Sequence, residues 1–318
     1  MIPIKVDIEK AERYYEEFIE NIWSSKTDGK IFKNYFRELS EKRCMKNTEI
    51  GRMLRDEEGL KELILLKPDE VRDLAQTFND IFYENGAFKK ECETVFDELK
   101  DLFTKAYNKL DKYAFVNFTD VRVCPYCNRA FVYEPMTEEH ESNTIRKIKG
   151  QIDHFFPKSK YPILALSYFN LIPSCGVCNY VKSEKDPLEV SELKSPYEIK
   201  ADEFEFTINI ENTNVFSYSL NKIAKGFKVK LKAPKGNNTL FALEDIYNNH
   251  KDIAAEVLFK AKYYNEAYIE SIRKTLEGIK LTDFDIYRLV FWAYKDTPGN
   301  RPLSKFISDI AKQIIRDF

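Results

Sequence analysis

Residues 151–186 read QIDHFFPKSKYPILALSYFNLIPSCGVCNYVKSEKD, and residues 124–127 read CPYC. Cys124 and Cys127 make one CxxC pair, and Cys175 and Cys178 make the other. Four thiolates in two such knuckles suit a tetrahedral, structural zinc ion. The 47 residues between the pairs exceed the spacing of a simple zinc ribbon. A separate element is therefore inserted between the knuckles, and its chemistry decides what the module can do. CPYC alone also matches a thiol redox site, but such a site opens a helix after a strand. Here CPYC runs into the strand-like AFVYE, and a second CxxC follows, so zinc is the better reading.

The inserted element carries Asp153 next to His154, Asn170 in FNLIPSC, and Asn179 directly after Cys178. A neutral imidazole can accept a proton from water near its ordinary pKa of about 6.5. A carboxylate oxygen suits a hard divalent cation. Neighbouring side chains on a strand face opposite ways, so a shared site for Asp153 and His154 requires a strand end or a bulge there. A short helix starting near Cys175 would set Asn179, Lys182 and Ser183 on one face. Asn179 would offer its carbonyl oxygen to a metal, and Lys182 its charge to a phosphate.

Taken in order, CPYC, IDH, the asparagine of FNLIP, CGVCN and Lys182 resemble the HNH nuclease superfamily, in the branch where two CxxC pairs bracket the catalytic hairpin. The resemblance covers residues 121–186, and six positions agree in sequence. It implies a ββα-metal module with a structural four-cysteine zinc. It further implies that His154 is the general base and that Asp153 is the adjoining metal ligand. Asn170 would brace the loop that orients the base. Asn179 would be the second ligand of a catalytic Mg²⁺ or Mn²⁺, where the family often has histidine. Lys182, Lys158 and Lys160 would meet substrate phosphates. The longer phrase IDHFFPKSKYPILALSYFNLIPSCGVCNYVK is similar to the HNH component of Septu-type antiphage systems, which acts beside an ABC/AAA-type ATPase. That implies a DNA endonuclease in phage defence. RNA or tRNA cleavage, and a non-catalytic zinc module binding nucleic acid or protein, stay open as alternatives.

Outward from this segment, residues 1–115 read as a helical region. Ile8, Ala11, Tyr15, Phe18 and Ile22 form one apolar stripe, and Cys92, Val95, Leu99, Leu102, Ala106 and Leu110 another. Ile31, Tyr35 and Leu39 suggest a helix between them, and Pro68 suits a helix first turn. Cys44 and Cys92 read as buried small hydrophobes on helices. FVNF and VRV, near residue 116, look β-like, and the module is placed at 116–190. In 191–318 three stretches alternate with period two: 204–210, 216–220 and 227–231, the last with Lys228, Lys230 and Lys232 between its apolar residues. They predict a small antiparallel sheet, followed by helices. His140 reads as a solvated loop histidine and His250 as a turn or helix-start residue. The fold class is α+β and mainly helical.

The formal net charge of -2 over 318 residues excludes a uniformly basic nucleic-acid coat. Residues 121–186 hold nine Lys and Arg against seven Asp and Glu, which is barely basic. Tight non-specific DNA binding by this chain alone is not expected, and delivery by a partner fits better. No apolar run approaches the roughly 20 residues of a membrane span, and no signal peptide is visible, so a cytoplasmic location is expected.

Overall fold

The structure is a computed structural model that describes residues 1–132, 151–264, 266–275, 278–279 and 281–314. The polar loop with His140, Arg146, Lys147 and Lys149, and the end of the strand-like AFVYE, lie outside the described residues. The chain divides into two compact units, one formed by Ile4–Asp120 and Glu134–Ser191, the other by Met1–Pro3, Val121–Tyr133 and Glu192–Phe318. The whole is α+β and mainly helical, with small two-stranded antiparallel sheets.

In the first unit the helices are α1 (Ile8–Tyr14), α2 (Glu20–Ser24), α3 (Phe32–Ser40), α4 (Glu49–Leu54), α5 (Glu57–Leu65), α6 (Pro68–Phe82), α7 (Glu93–Lys109) and α8 (Lys112–Thr119). A five-residue π-helical turn, Tyr15–Ile19, joins α1 to α2. Several helices start where a side chain satisfies a free backbone N–H. Asp7 accepts from Lys10 N, Thr48 from Gly51 N, Asp56 from Gly59 N, and Asp111 from Tyr113 and Ala114 N. Pro68 stands in the first turn of α6, as its fixed φ favours. The stripe expected on α7 is buried from Cys92 through Leu110. It packs through Phe103 on Phe36, with Trp23 edge-on to both. On α3 the buried face is Phe32, Phe36 and Leu39, one position on from the expected Ile31 and Tyr35.

Two tight hairpins escaped the sequence reading. β1 (Lys26–Thr27) pairs with β2 (Lys30–Ile31), and β3 (Tyr83–Glu84) with β4 (Ala87–Phe88). Their turns are Asp28-Gly29 and Asn85-Gly86, all four residues at positive φ, the conformation that a two-residue hairpin turn requires. The β-like reading of FVNF is corrected: residues 112–119 are α8. Asp111 caps its start, and Phe115 packs edge-on against Tyr14 and Tyr168, so tertiary burial outweighs strand propensity.

The unit also contains β5 (Gln151–His154), β6 (Leu171–Ser174) and α9 (Gly176–Lys182), which carry the candidate site residues. β5 and β6 are antiparallel, with Gln151 opposite Ser174, Asp153 opposite Ile172 and His154 opposite Leu171. The connecting loop is anchored on the helices: Ser167 Oγ donates to Leu63 O at 2.6 Å, and Tyr14 Oη donates to Leu166 O at 3.1 Å.

In the second unit β7 (Glu205–Ile210) pairs with β8 (Phe227–Lys232) over six residues. The helices are α10 (Leu220–Ile223), α11 (Lys235–Phe241), α12 (Leu243–Asn248), α13 (Lys251–Tyr263), α14 (Glu266–Thr275), α15 (Asp283–Phe291) and α16 (Ser304–Ile314). Phe206 of β7, Tyr247 of α12 and Phe306 of α16 form the aromatic centre. The third expected strand, 216–220, is not one. Phe216 closes a 3₁₀ turn, Leu220 opens α10, and Phe216 and Tyr218 are 69% and 77% exposed, so their alternation buries nothing. The lysines of β8 form a solvated face: Lys228 pairs with Glu211 at 2.8 Å and Lys230 with Glu244 at 3.0 Å. VRV and AFV contribute only a single bridge, Val123 to Phe131. The CPYC turn between them closes through Asn128 N to Cys124 O at 2.8 Å and is held by Tyr247 Oη on Cys127 O at 2.6 Å. Among the described residues no helix is long and apolar enough to cross a membrane.

Candidate functional site

The sulfur atoms of Cys124, Cys127, Cys175 and Cys178 all lie within 4.8 Å of one another. Tetrahedral zinc with bonds of about 2.3 Å places its sulfurs about 3.8 Å apart, so this cluster fits a four-thiolate zinc ion. Cys124, Cys127 and Cys178 are at most 5% exposed. Backbone N–H groups point at two of the sulfurs, from Arg129 to Cys127 at 3.4 Å and from Cys178 to Cys175 at 3.5 Å. Such donors favour the thiolate over the thiol. Four protein ligands would leave no open position, so a zinc ion held here would be structural. Cys44 and Cys92 take no part. Cys44 is half-buried in a turn, which corrects its helical placement, and donates to Glu91 O at 3.6 Å. Cys92 is buried at the end of a 3₁₀ turn, and burial pushes its thiol up to about 12.

The second site forms where β5 ends. Asp153, His154 and Asn179 line one open pocket of about 530 Å³, together with Tyr107, Lys158 and Glu184. β5 stops at His154, a strand end where the shared-site reading expected one, and Asp153 and His154 both line the pocket. Cys175 is the N-cap of α9, its sulfur accepting from Cys178 N, so the second knuckle itself starts the helix that carries Asn179. The Asn179 amide donates to Gln151 Oε1 at 2.8 Å. This commits the nitrogen and leaves the carboxamide oxygen as the atom suited to a cation.

His154 is 8% exposed, and its Nε2 lies 3.0 Å from Ala165 O. A carbonyl can only accept, so Nε2 carries the proton and Nδ1 holds a free lone pair. Burial pushes the ring's pKa down to about 3, Lys158 adds repulsion, and Lys182 and Lys112 add less, against the bond to Ala165. The ring is therefore neutral at physiological pH. Tyr107 packs edge-on against it with ring centres 4.7 Å apart.

This shift has a consequence for stability. An unfolded histidine takes its proton near pH 6.5, whereas the folded ring resists until about 3. Its contribution is complete above pH 6.5 and is lost as the pH falls toward 3, at about 1.4 kcal/mol per pH unit. Urea unfolding at pH 7, 6 and 5 should show a steeper loss for the wild type than for His154→Gln. Equal slopes would refute the buried neutral ring.

Asn170 is fully buried and makes three bonds to the loop it closes. Its Oδ1 accepts from Phe156 N at 2.7 Å, and its Nδ2 donates to Phe156 O at 3.1 Å and Leu164 O at 2.9 Å. Leu164 precedes Ala165, whose carbonyl holds His154, so Asn170 reaches the imidazole through the loop. Asn170→Ala removes the bonds to Phe156 N and Phe156 O, whereas Leu164 O keeps its bond from Ser167 N at 3.3 Å. The substitution should cost about 3 kcal/mol or more, read as a lower midpoint of thermal unfolding. An unchanged midpoint would remove the bracing role.

The lysines expected at substrate phosphates divide. Lys182 is fully buried, with Nζ 3.3 Å from His154 O and its pKa lowered by burial against the attraction of Asp153. Its expected place at a substrate phosphate is corrected: buried here, the side chain is an internal counter-charge beneath the strand end. Lys160, also expected at a substrate phosphate, is committed to Asp186 at 2.6 Å and Glu189 at 2.7 Å. Lys158 alone of the three lines the pocket. His250 stands at the N-cap position of α13 without a side-chain capping bond, and its Nε2 accepts from Arg129 Nε at 3.0 Å.

Comparison with known proteins adds no relative. No family model, no curated protein and no solved structure matches the chain. Tyr107, Gln151 and Glu184 are among the pocket residues the sequence did not single out. Tyr107 stands 47 residues before His154 on a helix whose stripe reads as packing, and only the fold joins them.

Proposed function

We propose that the chain is a metal-dependent endonuclease of the HNH type, acting on DNA, with β5, β6 and α9 as its ββα-metal element. The observation that carries this reading is one pocket holding Asp153, Asn179 and a neutral His154 whose Nε2 is tied to a carbonyl. The Asp153 carboxylate and the Asn179 carbonyl oxygen are hard donors and would hold Mg²⁺ or Mn²⁺. When bound, that ion supplies positive charge against the phosphate as negative charge grows there.

The chain's own groups do the rest. His154 Nδ1 accepts a proton from a water molecule, whose oxygen attacks the phosphorus in line. The opposite P–O bond breaks, and its electron pair leaves on the 3′ oxygen, which takes a proton from solvent. Ala165 O fixes the imidazole tautomer, and Asn170 fixes the loop that presents Ala165. Lys182 offsets Asp153 from below. A zinc ion held by Cys124, Cys127, Cys175 and Cys178 would tie together the knuckles that flank β5 and β6 in sequence.

The near-zero net charge supports a nuclease brought to DNA by a partner. The Septu-like phrase names the partner's class as an ABC/AAA-type ATPase and the setting as phage defence. The test is cleavage of plasmid DNA, single-stranded DNA and tRNA with Mg²⁺, Mn²⁺ or EDTA, with and without such an ATPase. Metal-dependent cutting of DNA is expected. Cutting of tRNA alone would move the reading to an RNA nuclease. No cutting of any substrate under any condition would leave a zinc-bound binding module.

A further inference from the structure

We propose that Trp292, with Arg288 and Arg301 beside it, forms a stacking site for one nucleotide of single-stranded DNA, the base on the indole and the phosphate on the guanidinium groups. The site lies in the second unit, outside the motif, and does not rest on the nuclease reading. Leu281, Arg301, Trp292 and three residues of α15, Asp285, Arg288 and Leu289, line one open hollow of about 350 Å³. Positions 285, 288, 289 and 292 recur at the three- and four-residue spacing of one helix face.

Trp292 stands out on two counts. It is 68% exposed, although an indole gains from burial. Its backbone is left-handed, at φ +59° and ψ +25°, closing α15 where glycine fits without strain. Both features cost stability, and such costs gather at contact sites. Arg301 lies over the indole ring, 5.8 Å from its centre, and donates from Nη1 to Trp292 O at 3.0 Å. Arg288 Cζ and Arg301 Cζ lie 4.5 and 5.2 Å from the centre of the Tyr294 ring. The two charges therefore share an aromatic neighbour as well as the hollow. Asp285 is the acid among the lining residues. Its Oδ2 accepts from Thr282 N at 3.0 Å and Thr282 Oγ1 at 2.6 Å, and its Oδ1 lies 4.0 Å from Arg288 Nη1, a long contact between exposed groups that is worth little. Guanidinium matches phosphate with a planar fork, and every base presents a π face to an indole. An acidic peptide would use the arginines and leave the indole without a partner.

The chain has two tryptophans and Trp23 is buried, so quenching of the exposed one reports stacking. The test titrates the full chain with a short oligo(dT), without added divalent ion, and follows indole fluorescence. Fluorescein-labelled oligo(dT) gives the affinity by anisotropy across NaCl concentrations. Quenching is expected, and Trp292→Phe should abolish it while keeping most of the affinity. Trp292→Ala should weaken binding about tenfold, on the order of one stacked base. Arg288→Gln with Arg301→Gln should flatten the slope of log K against log salt by about 0.7 per arginine, and Arg288→Lys with Arg301→Lys should restore it. Quenching by thymidine monophosphate as strong as by oligo(dT) would mean a free-nucleotide site, and equal quenching by poly-glutamate an acidic-peptide site; either overturns the proposal. Wild-type affinity in Trp292→Ala overturns it too. If the chain cuts plasmid DNA but oligo(dT) does not quench its indole, this site falls and the nuclease reading stands. If oligo(dT) quenches a chain that cuts nothing, the site stands and the nuclease reading falls.

Discussion

Replacing His154 by alanine is expected to leave a folded, zinc-loaded protein that cuts DNA 10² to 10⁴ times more slowly, on the order of what a positioned general base contributes. Its ring is the one group in the pocket with a free nitrogen lone pair in a defined tautomer. Removing it takes away the proton acceptor and leaves the oxygen donors Asp153 and Asn179 in place. The loss should therefore fall on kcat, with Mg²⁺ binding and DNA binding preserved. A variant that fails to bind metal or DNA would show that the ring supports the pocket's shape instead. His154→Gln sharpens the comparison, because its amide can still donate to Ala165 O but cannot accept the proton. It should be as slow as the alanine variant.

Loss of the zinc is the second large effect. Metal analysis of the purified chain should find one zinc ion bound by Cys124, Cys127, Cys175 and Cys178 and resistant to brief EDTA treatment. Structural zinc sites of this kind contribute about 10 kcal/mol or more of apparent folding free energy at neutral pH in small zinc domains. Cys178→Ser removes one ligand, and Cys178 is also part of α9, the helix carrying Asn179. The variant should lose its zinc, lower its unfolding midpoint by many degrees, and lose cleavage as well. The two metals then separate by reagent. Brief EDTA should stop cleavage reversibly, with Mg²⁺ restoring it while zinc stays bound. A cysteine variant should not be rescued by Mg²⁺. A Cys178→Ser protein with wild-type stability would remove the zinc from the account.

Local signals made much of this legible in the sequence. CxxC spacing marked the four sulfurs, because thiolate clusters need little else. The stripe from Cys92 to Leu110, the Pro68 first turn and the pairing of 205–210 with 227–232 follow from periodicity, which is a property of the segment itself. Asp153, His154, Asn170 and Asn179 were singled out as residues, and β5 ends where a shared site needs it to.

Other features depended on contacts that no segment contains. FVNF became α8 because Phe115 had Tyr14 and Tyr168 to meet. The alternation at 216–220 came to nothing because, among the described residues, no strand pairs with it to bury that face. Lys182 and Lys160 looked like a helix-face charge and a loop charge. Their partners, the His154 carbonyl on one side and Asp186 with Glu189 on the other, decide that neither is free. Tyr107 reads as an ordinary helix residue, and its place against His154 is visible only in the folded chain.

The most direct measurement is the single-turnover conversion of supercoiled plasmid by the wild type and by His154→Ala, both verified to carry zinc, with Mg²⁺ and then with EDTA. The account predicts cutting by the wild type with Mg²⁺, none with EDTA, and at least a hundredfold slower cutting by the variant, on the order of a lost general base. Equal, Mg²⁺-independent cutting by both proteins would contradict it.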